Sequence, residues 1–303
     1  MNNLAAAVPA SPWRFWALLL VLALAVAASL CAATARLIDL EVLAGLAALR
    51  EGARTWHLFL ARGLGLTILG IAVVAWLKPR LLPDARWISL ALLALAAWEG
   101  LLADGSRLGM DRALVSTLHA MNGMAFIALF AALALRAGLG RLPIASLPRW
   151  AWILVLAVLA EVGLGTWLGA HPGTTACEGF LACGGGWLAG SGIAETGRLL
   201  GEGFSLTPSQ EGLRAVHWAH RGLALLLGGG IACLLVVGDS PRLRGWGLMA
   251  AVLLLAQAGL GLFGLREDGG IGVLVMHHAL AIGLLIALTV LHFQPFQFAR
   301  TDV

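Results

Sequence analysis

Charged residues are scarce in this chain. They make up 12% of its 303 residues, whereas 60% are apolar and the mean hydropathy is +0.90. Soluble domains carry about 25% charged residues, so this composition excludes an ordinary soluble protein. Tyrosine is absent, and the interfacial anchoring that Tyr and Trp share in membrane proteins therefore falls to twelve tryptophans.

Two further features are missing. No basic stripe lies outside the turns between apolar runs, so the isoelectric point of about 9.4 does not indicate a nucleic-acid surface. No signal-peptide pattern is present either, because the first apolar run is too long and lacks a convincing cleavage site. We therefore expect the first run to be a retained helix.

Eight apolar runs have the length of roughly 20 residues that a helix needs to cross a bilayer. They cover residues 13–34, 57–77, 87–103, 113–136, 150–170, 212–238, 244–264 and 272–292. Proline, glycine and charged residues interrupt the apolar pattern between the runs. The sequence predicts an all-α integral membrane protein with eight transmembrane helices.

The distribution of basic residues predicts the orientation. Those at the N-terminus, in the even-numbered turns and in the tail have few acidic neighbours: Arg14, Lys78, Arg80, Arg86, Arg136, Arg141, Arg149, Arg242, Arg244 and Arg300. Because cytoplasmic loops carry an excess of Lys and Arg, we predict that both termini are cytoplasmic. A single chain with inward termini suits the bacterial inner membrane.

Four histidines share a local pattern. Each lies a turn or two inside the start of an even-numbered apolar run and is followed four residues later by Ala or Gly: His57, His119, His220 and His277. A small residue one turn from an axial histidine leaves room for a flat porphyrin. This pattern is typical of a bis-histidine haem protein in a membrane. On the predicted topology, all four histidines lie at one depth near the outer face.

The spacing of these histidines indicates two similar halves, with 62 residues between the first two and 57 between the last two. We expect residues 1–140 and 141–303 to form two pseudo-symmetric four-helix bundles, each pairing two histidines around one haem. The sequences EVGLG, from Glu161, and QAGLG, from Gln257, repeat a polar residue ahead of glycines. Such glycines let membrane helices approach one another.

Neighbouring histidines compete for the ligand roles. His217 lies three residues before His220 on nearly the same helix face, and His278 directly follows His277. The small residue at the fourth position favours His220 and His277. Two histidines lie outside the pattern and are expected at the membrane interface: His171 and His292.

Three charged residues lie inside the predicted spans. An ionised Glu161 near the middle of the fifth span costs several kcal/mol unless it is paired or hydrated, so we expect it to be protonated and hydrogen-bonded between helices. Arg62 and Arg221 lie in the second and sixth spans, where a guanidinium group suits a haem propionate. Arg221 directly follows a proposed ligand and is the stronger candidate.

The four cysteines fall into two classes. Cys177 and Cys183 lie in the long outer loop, where five intervening residues and nearby glycines permit a disulfide in an oxidising compartment. The same pair could bind a metal or remain reduced, although no further loop ligand completes a tetrahedral site. Cys31 and Cys233 lie within or at the edge of spans and are expected to be packing residues.

The second half of the chain resembles the bacterial haem A synthases. The likeness lies in EVGLGTWLG, which starts at Glu161, in TACEGFLAC, which ends at Cys183, and in AVHWAHRGLA around His220. It continues through LAQAGLG to MHHALA, which contains His277. The resemblance covers nearly the whole chain in architecture, but its specific motifs lie mainly between residues 150 and 282.

This resemblance implies a fold of eight helices in two similar bundles. It further implies that His220 and His277 hold a haem b cofactor and that Cys177 and Cys183 form the outer-loop disulfide. The substrate haem is then bound by the histidines of the second and fourth helices: His57 and His119.

The first half departs from the family pattern. Members usually carry an E-x-x-H-R motif at the second-helix histidine, and here Arg54 stands in the place of that Glu. Glu51, three residues further upstream, is the nearest carboxylate and therefore the candidate for its role. Because the family's Glu is thought to assist the chemistry, its replacement leaves open a homologue that binds haem without oxidising it.

The function that the resemblance implies is oxidation of the C8 methyl group of haem O to the formyl group of haem A, for terminal oxidase assembly. It implies an oxidoreductase with an electron donor and with the haem O synthase as a partner. A two-haem electron-transfer cytochrome is the main competing hypothesis and predicts haems near opposite membrane faces. A transporter would require broken helices and a midplane polar site, which only Glu161 and Gln257 support.

Overall fold

The computed structural model describes residues 12–40, 47–78, 85–105, 109–139, 151–171, 193–205, 207–238, 241–264 and 271–293. Within these ranges the chain forms helices and no strand. The helices are α1 (Pro12–Leu40), α2 (Ala47–Leu77), α3 (Ala85–Ala103), α4 (Arg112–Leu139), α5 (Ala151–Gly169), α6 (Ile193–Gly203), α7 (Gln210–Val237), α8 (Pro241–Gly264) and α9 (Ile271–Phe293).

Eight helices in the described ranges are long and apolar enough to cross a membrane, and α6 is too short to do so. The predicted fold class, an all-α integral membrane protein with eight spanning helices, is confirmed. Seven of the eight predicted runs begin within three residues of the observed helix start. Hydropathy locates the spans well because the lipid-facing and core-facing sides of these helices are both apolar.

Two features of the helices differ from the prediction. Helix α2 starts at Ala47, ten residues before the predicted run, so His57 lies nearly three turns inside the helix rather than one or two. The extra segment carries Arg50, Glu51 and Arg54. Because these charges lower its mean hydropathy, the search for apolar runs does not detect it. Helix α6 was not predicted because it is short and polar on one face.

The eight spanning helices pack as two rings of four. In the first ring α1 contacts α2 and α4, and α3 lies between α2 and α4. In the second ring α5 contacts α7 and α9, and α8 lies between α7 and α9. The rings meet where α4 packs on α5 and α9 and where α1 packs on α9. Helices α4, α5 and α9 are consequently the most buried.

Small residues allow close packing between the helices. A Cβ atom added at Gly163 of α5 would lie 2.7 Å from Met121 Sδ of α4. One added at Gly230 of α7 would lie 2.5 Å from Leu154 Cδ2 of α5. Since lipid is as apolar as leucine, such van der Waals packing rather than the hydrophobic effect holds membrane helices together.

The short helix α6 is fixed against the start of α7. Trp167 Nε1 of α5 donates a hydrogen bond to the carbonyl oxygen of Gly203, at 2.7 Å. A Cβ atom at Gly203 would lie 2.3 Å from the carbonyl oxygen of Gly212, so only glycine fits this approach of two backbones. Ser209 caps α7 by accepting from the Gly212 amide at 3.0 Å.

Candidate functional site

His57 of α2 and His119 of α4 face each other inside the first ring of helices. Their ring centroids lie 5.4 Å apart, with the ring planes at 67°. His57 Nδ1 donates to the carbonyl oxygen of Ala28 on α1, at 3.0 Å. His119 Nδ1 pairs with Glu99 Oε1 on α3. All four helices of the ring thus contribute to this arrangement, which we term the N-terminal site.

The second ring holds an equivalent pair, which we term the C-terminal site. His220 of α7 pairs through Nδ1 with Glu161 Oε2 on α5, and the glutamate side chain is only 6% exposed. His277 Nδ1 of α9 donates to the carbonyl oxygen of Gln257 on α8, at 2.9 Å. The two imidazoles are close enough to interact electrostatically. Glu161 therefore meets its partner on another helix, and that partner is a predicted ligand.

All four histidines are held through the same ring nitrogen, which leaves the other one for a metal. Nδ1 of His57 and of His277 donates to a main-chain carbonyl oxygen, and Nδ1 of His119 and of His220 pairs with a carboxyl oxygen of a glutamate. Within the described part of the chain, Nε2 of these four rings makes no hydrogen bond. An oxygen partner of this kind on the second ring nitrogen is the usual support for a metal-bound histidine.

The donor set fits haem better than a bare metal ion. The described residues contain no group of three or more His, Cys, Asp or Glu side chains that could hold a metal ion alone. A porphyrin supplies the in-plane ligands and leaves two axial positions for a histidine pair. His57 and His119, whose ring centroids lie 5.4 Å apart, are the residues that would hold a haem in the N-terminal site.

Two glycines of the repeated sequence support the C-terminal site. A Cβ atom at Gly165 of α5 would lie 3.3 Å from His220 Cε1, and one at Gly261 of α8 would lie 3.3 Å from His277 Cε1. Each glycine stands four residues after the residue whose oxygen holds the same imidazole, Glu161 or Gln257. One face of α5 therefore holds the imidazole of His220 through Nδ1, and its glycine leaves space for the ring. One face of α8 does the same for His277.

The small residues that follow the histidines have different surroundings. A Cβ atom added at Gly123, one turn beyond His119, would meet nothing within 4 Å, so that helix face is open. Ala281, one turn beyond His277, is 2% exposed and packs in the hydrophobic core. The expectation of open space is wrong at Ala281 because α9 is a central helix with neighbours on several sides.

The two sites lie at one level of the bundle. Met121 of α4 lies beside Gly163 of the antiparallel α5. Two residues earlier on α4 and two residues later on α5 reach the same level, so His119 lies level with Gly165. Gly165 is also the residue that His220 packs against. On the other side of the molecule, the neighbouring residues Ala28 and Ser29 of α1 bond to His57 and to His278.

The competing histidines are placed differently from the four ligand candidates. His278 Nε2 hydrogen-bonds Ser29 Oγ at 3.0 Å, so the nitrogen that a ligand would need is engaged. No described residue forms a hydrogen bond that orients the ring of His217, although His220 and Arg221 lie near it. The geometry therefore favours His220 and His277.

Glu99 is the site residue that sequence reasoning missed. Its second carboxylate oxygen accepts from Asn122 Nδ2, and Asn122 is 5% exposed. A carboxylate inside the predicted span 87–103 was the signal that could have found it. Glu51, the earlier candidate, is exposed and lies about 120° around α2 and about 9 Å along it from His57, so it does not join the site.

The two intramembrane arginines have separate environments. Arg221 directly follows His220 in the chain, and its Cζ lies 5.5 Å from the ring centroid of Trp218. Its contact with a haem propionate stays a prediction. Arg62 is exposed and lies about 140° around α2 from His57, so its side chain leaves the N-terminal site. Arg54 is exposed as well.

Two further histidines, His171 and His292, and two cysteines, Cys31 and Cys233, lie in the described part of the chain. His292, the penultimate residue of α9, is 2% exposed, donates through Nδ1 to the Leu288 carbonyl oxygen and packs 4.1 Å from the Trp152 ring between centroids. Its position at the membrane interface stays a prediction. His171, at the end of α5, bonds to the carbonyl oxygen of Trp167. Cys31 is partly buried and Cys233 exposed. The predicted disulfide lies outside the described residues: Cys177 and Cys183.

The chain matches the model of a known protein family. Residues 54–289 match the family model described as cytochrome oxidase assembly protein, a range that contains all four ligand candidates and all or most of every spanning helix except α1. A comparison with curated proteins found no match. The family match covers well over half of the chain and extends into the divergent first half. The protein therefore belongs to the cytochrome oxidase assembly protein family, which is the haem A synthase family.

Proposed function

We propose that the protein is a haem A synthase, which oxidises the C8 methyl group of haem O to a formyl group. The observation that carries this proposal is the presence of two bis-histidine sites at one level of the bundle, one in each ring of helices. An enzyme that oxidises one haem with the help of another needs two such sites. Membership of the cytochrome oxidase assembly family supports the same reaction.

The two sites have different roles in this proposal. His220 and His277 hold the resident haem b, and His57 and His119 bind haem O as substrate. The N-terminal site can admit a lipid-soluble substrate beside α2 and α3, because only 22% of each of these two spans is buried. A farnesyl tail can then remain in contact with lipid while the macrocycle lies between the helices.

The protein's own residues orient the reactants. The carbonyl of Ala28 and the carboxylate of Glu99 hold the Nδ1 hydrogens of His57 and His119, which fixes the direction of both Nε2 lone pairs. Glu161 and the Gln257 carbonyl do the same for His220 and His277. When bound, haem b supplies redox chemistry that amino-acid side chains lack.

The direct test is the product. The purified protein is supplied with haem O and a reductant in air, and the extracted pigments are separated. We expect haem A in the wild type and none in a His57→Ala variant that still contains haem b. An extract that holds only haem O, from folded and reducible wild-type protein, would exclude the synthase activity.

A homologue that binds haem without oxidising it is the second candidate. It is favoured by Arg54, which replaces the family's motif glutamate and whose side chain is exposed on α2. The pigment experiment separates the two, because this homologue would bind haem O at His57 and His119 and release it unchanged.

An electron-transfer cytochrome is less consistent with the geometry. A protein that passes electrons across the bilayer needs haems near opposite faces, whereas these two sites share one level. The remaining proposals follow from the sequence: location in the bacterial inner membrane with both termini cytoplasmic, an electron donor, and association with the haem O synthase. Terminal reporter fusions test the orientation, since a fluorescent protein that folds only in the cytoplasm should fluoresce at both ends.

A further inference from the structure

Glu99 forms a small polar cluster between α3 and α4. One carboxylate oxygen pairs with His119 Nδ1, and the other accepts from Asn122 Nδ2. Asn122 also donates to the carbonyl oxygen of Leu95, one turn before Glu99, at 3.2 Å. His119 and Asn122 lie three residues apart on one face of α4, so the cluster joins matching faces of the two helices.

A carboxylate at this position is costly. Glu99 lies inside a spanning helix, and its side chain is 24% exposed. A carboxylate in a membrane span is costly because few groups there can stabilise its charge. Packing alone would be served as well by an apolar residue. The contact with a ligand imidazole points to a role in ligation.

We propose that Glu99 is a positioning residue that acts through His119 and makes the N-terminal site electronically unequal. This inference rests on the proposed binding of haem at His57 and His119. A carboxylate that accepts the Nδ1 hydrogen gives the imidazole more negative character and makes Nε2 a stronger donor to ferric iron. His57, held by a neutral carbonyl, is the weaker donor of the pair.

The C-terminal site also has one carboxylate and one carbonyl partner, but its carboxylate lies on a different helix of the half. There the carboxylate, Glu161, comes from the first spanning helix of the half, and the carbonyl, that of Gln257, comes from the third. In the N-terminal half the carboxylate comes from the third helix and the carbonyl from the first. Each site therefore has one carboxylate partner and one carbonyl partner, but the two halves do not repeat the same contacts.

The test compares Glu99→Ala and Glu99→Gln with the wild type, in protein that retains haem b. Haem O titration should show affinity for the N-terminal site lowered roughly tenfold to a hundredfold in Glu99→Ala, the usual effect of removing such a partner. Glu99→Gln still accepts the Nδ1 hydrogen, so we expect affinity within about threefold of the wild type. Its reduction potential should rise, because the negative charge is lost.

Two controls make the result specific. Glu211→Gln removes an exposed carboxylate in the first turn of α7 and should change neither site. The bound haem b reports folding, and its spectrum and potential should be unchanged in both Glu99 variants. Glu161→Gln should show the reverse pattern, with a raised potential for haem b only.

Three results would overturn the inference. One is a Glu99→Ala protein with wild-type haem O affinity and spectrum. The second is a Glu99→Gln protein with an unchanged potential at the N-terminal site. The third is a Glu99→Gln protein that merely melts earlier with both sites affected equally, as expected if Glu99 only holds the helices together. Failure of the proposed function looks different, because wild-type protein would then bind no haem O that depends on His57.

Discussion

At the residue scale, the direction of one ring nitrogen decides what each histidine can do. His57 and His277 donate through Nδ1 to main-chain carbonyls, while His119 and His220 pair with carboxylates. In each case Nε2 remains for a metal. A histidine whose Nε2 is engaged, as His278 is with Ser29, cannot do the same without breaking that bond.

Gly261 and Gly165 provide a prediction at this scale. Gly261→Ala would place a methyl group 3.3 Å from His277 Cε1, and the ring must shift against its hydrogen bond to Gln257. We expect the haem b affinity of the C-terminal site to fall by about tenfold, and the same for Gly165→Ala at His220, because ligand orientation is disturbed. Haem titration of the apoprotein measures this.

The same helices provide matched controls. A Cβ atom at Gly259 of α8 or at Gly169 of α5 would meet nothing within 4 Å, so alanine there should leave the affinity unchanged. Equal affinities in the Gly261 and Gly259 variants would show that contact with the imidazole does not matter.

The ligand candidates were predictable from the sequence, but their partners were only partly so. The four histidines stand out because a polar ring inside an apolar run is rare, and Glu161 stands out for the same reason. Glu99 carries the same signal and was overlooked. The carbonyls of Ala28 and Gln257 could not be predicted, because every residue has a carbonyl and only the register of two packed helices selects one.

At the element scale, helices α4 and α5 form the boundary between the two rings. Leu154 and Val158 of α5 and Ile127 and Phe130 of α4 are buried in the same core. Hydropathy predicted the positions of these helices within a few residues, since span length is imposed by the bilayer. It could not predict α6 or the charged first turns of α2, which do not need to be apolar.

The contact between Gly163 and Met121 gives a prediction for this boundary. Gly163→Val would overlap Met121 Sδ, which lies 2.7 Å from the position of a Cβ atom, and would push α4 away from α5. Overpacking of this kind costs about 1–3 kcal/mol, so the protein in detergent should melt at a lower temperature. Met121→Ala in the same chain removes the overlapping atom and should restore part of the loss.

The double variant decides whether this contact is responsible. If Met121→Ala and Gly163→Val lower the stability additively, the two residues are not coupled and the helices do not pack through them. Recovery in the double variant would establish the register on which the common level of His119 and His220 depends.

At the scale of the whole molecule, two rings of four helices bring two histidine pairs to one level. The similar spacing of the histidines predicted two equivalent sites in two halves of the chain, and this division stays a prediction. The spanning helices of the described residues pack as two rings of four. The carboxylate partner comes from the third helix in the first half and from the first helix in the second half, and the sequence did not predict this difference. The repeat of EVGLG and QAGLG links α5 with α8 inside one half, whereas Glu99 has no counterpart of that kind in α1.

The most direct test of the account is the haem content of wild-type protein and of four single variants, each purified after expression with haem O. We predict two low-spin haems in the wild type. His57→Ala and His119→Ala should each lose the same haem, and His220→Ala and His277→Ala should each lose the other. Wild-type haem content and spectrum in all four variants would contradict the account.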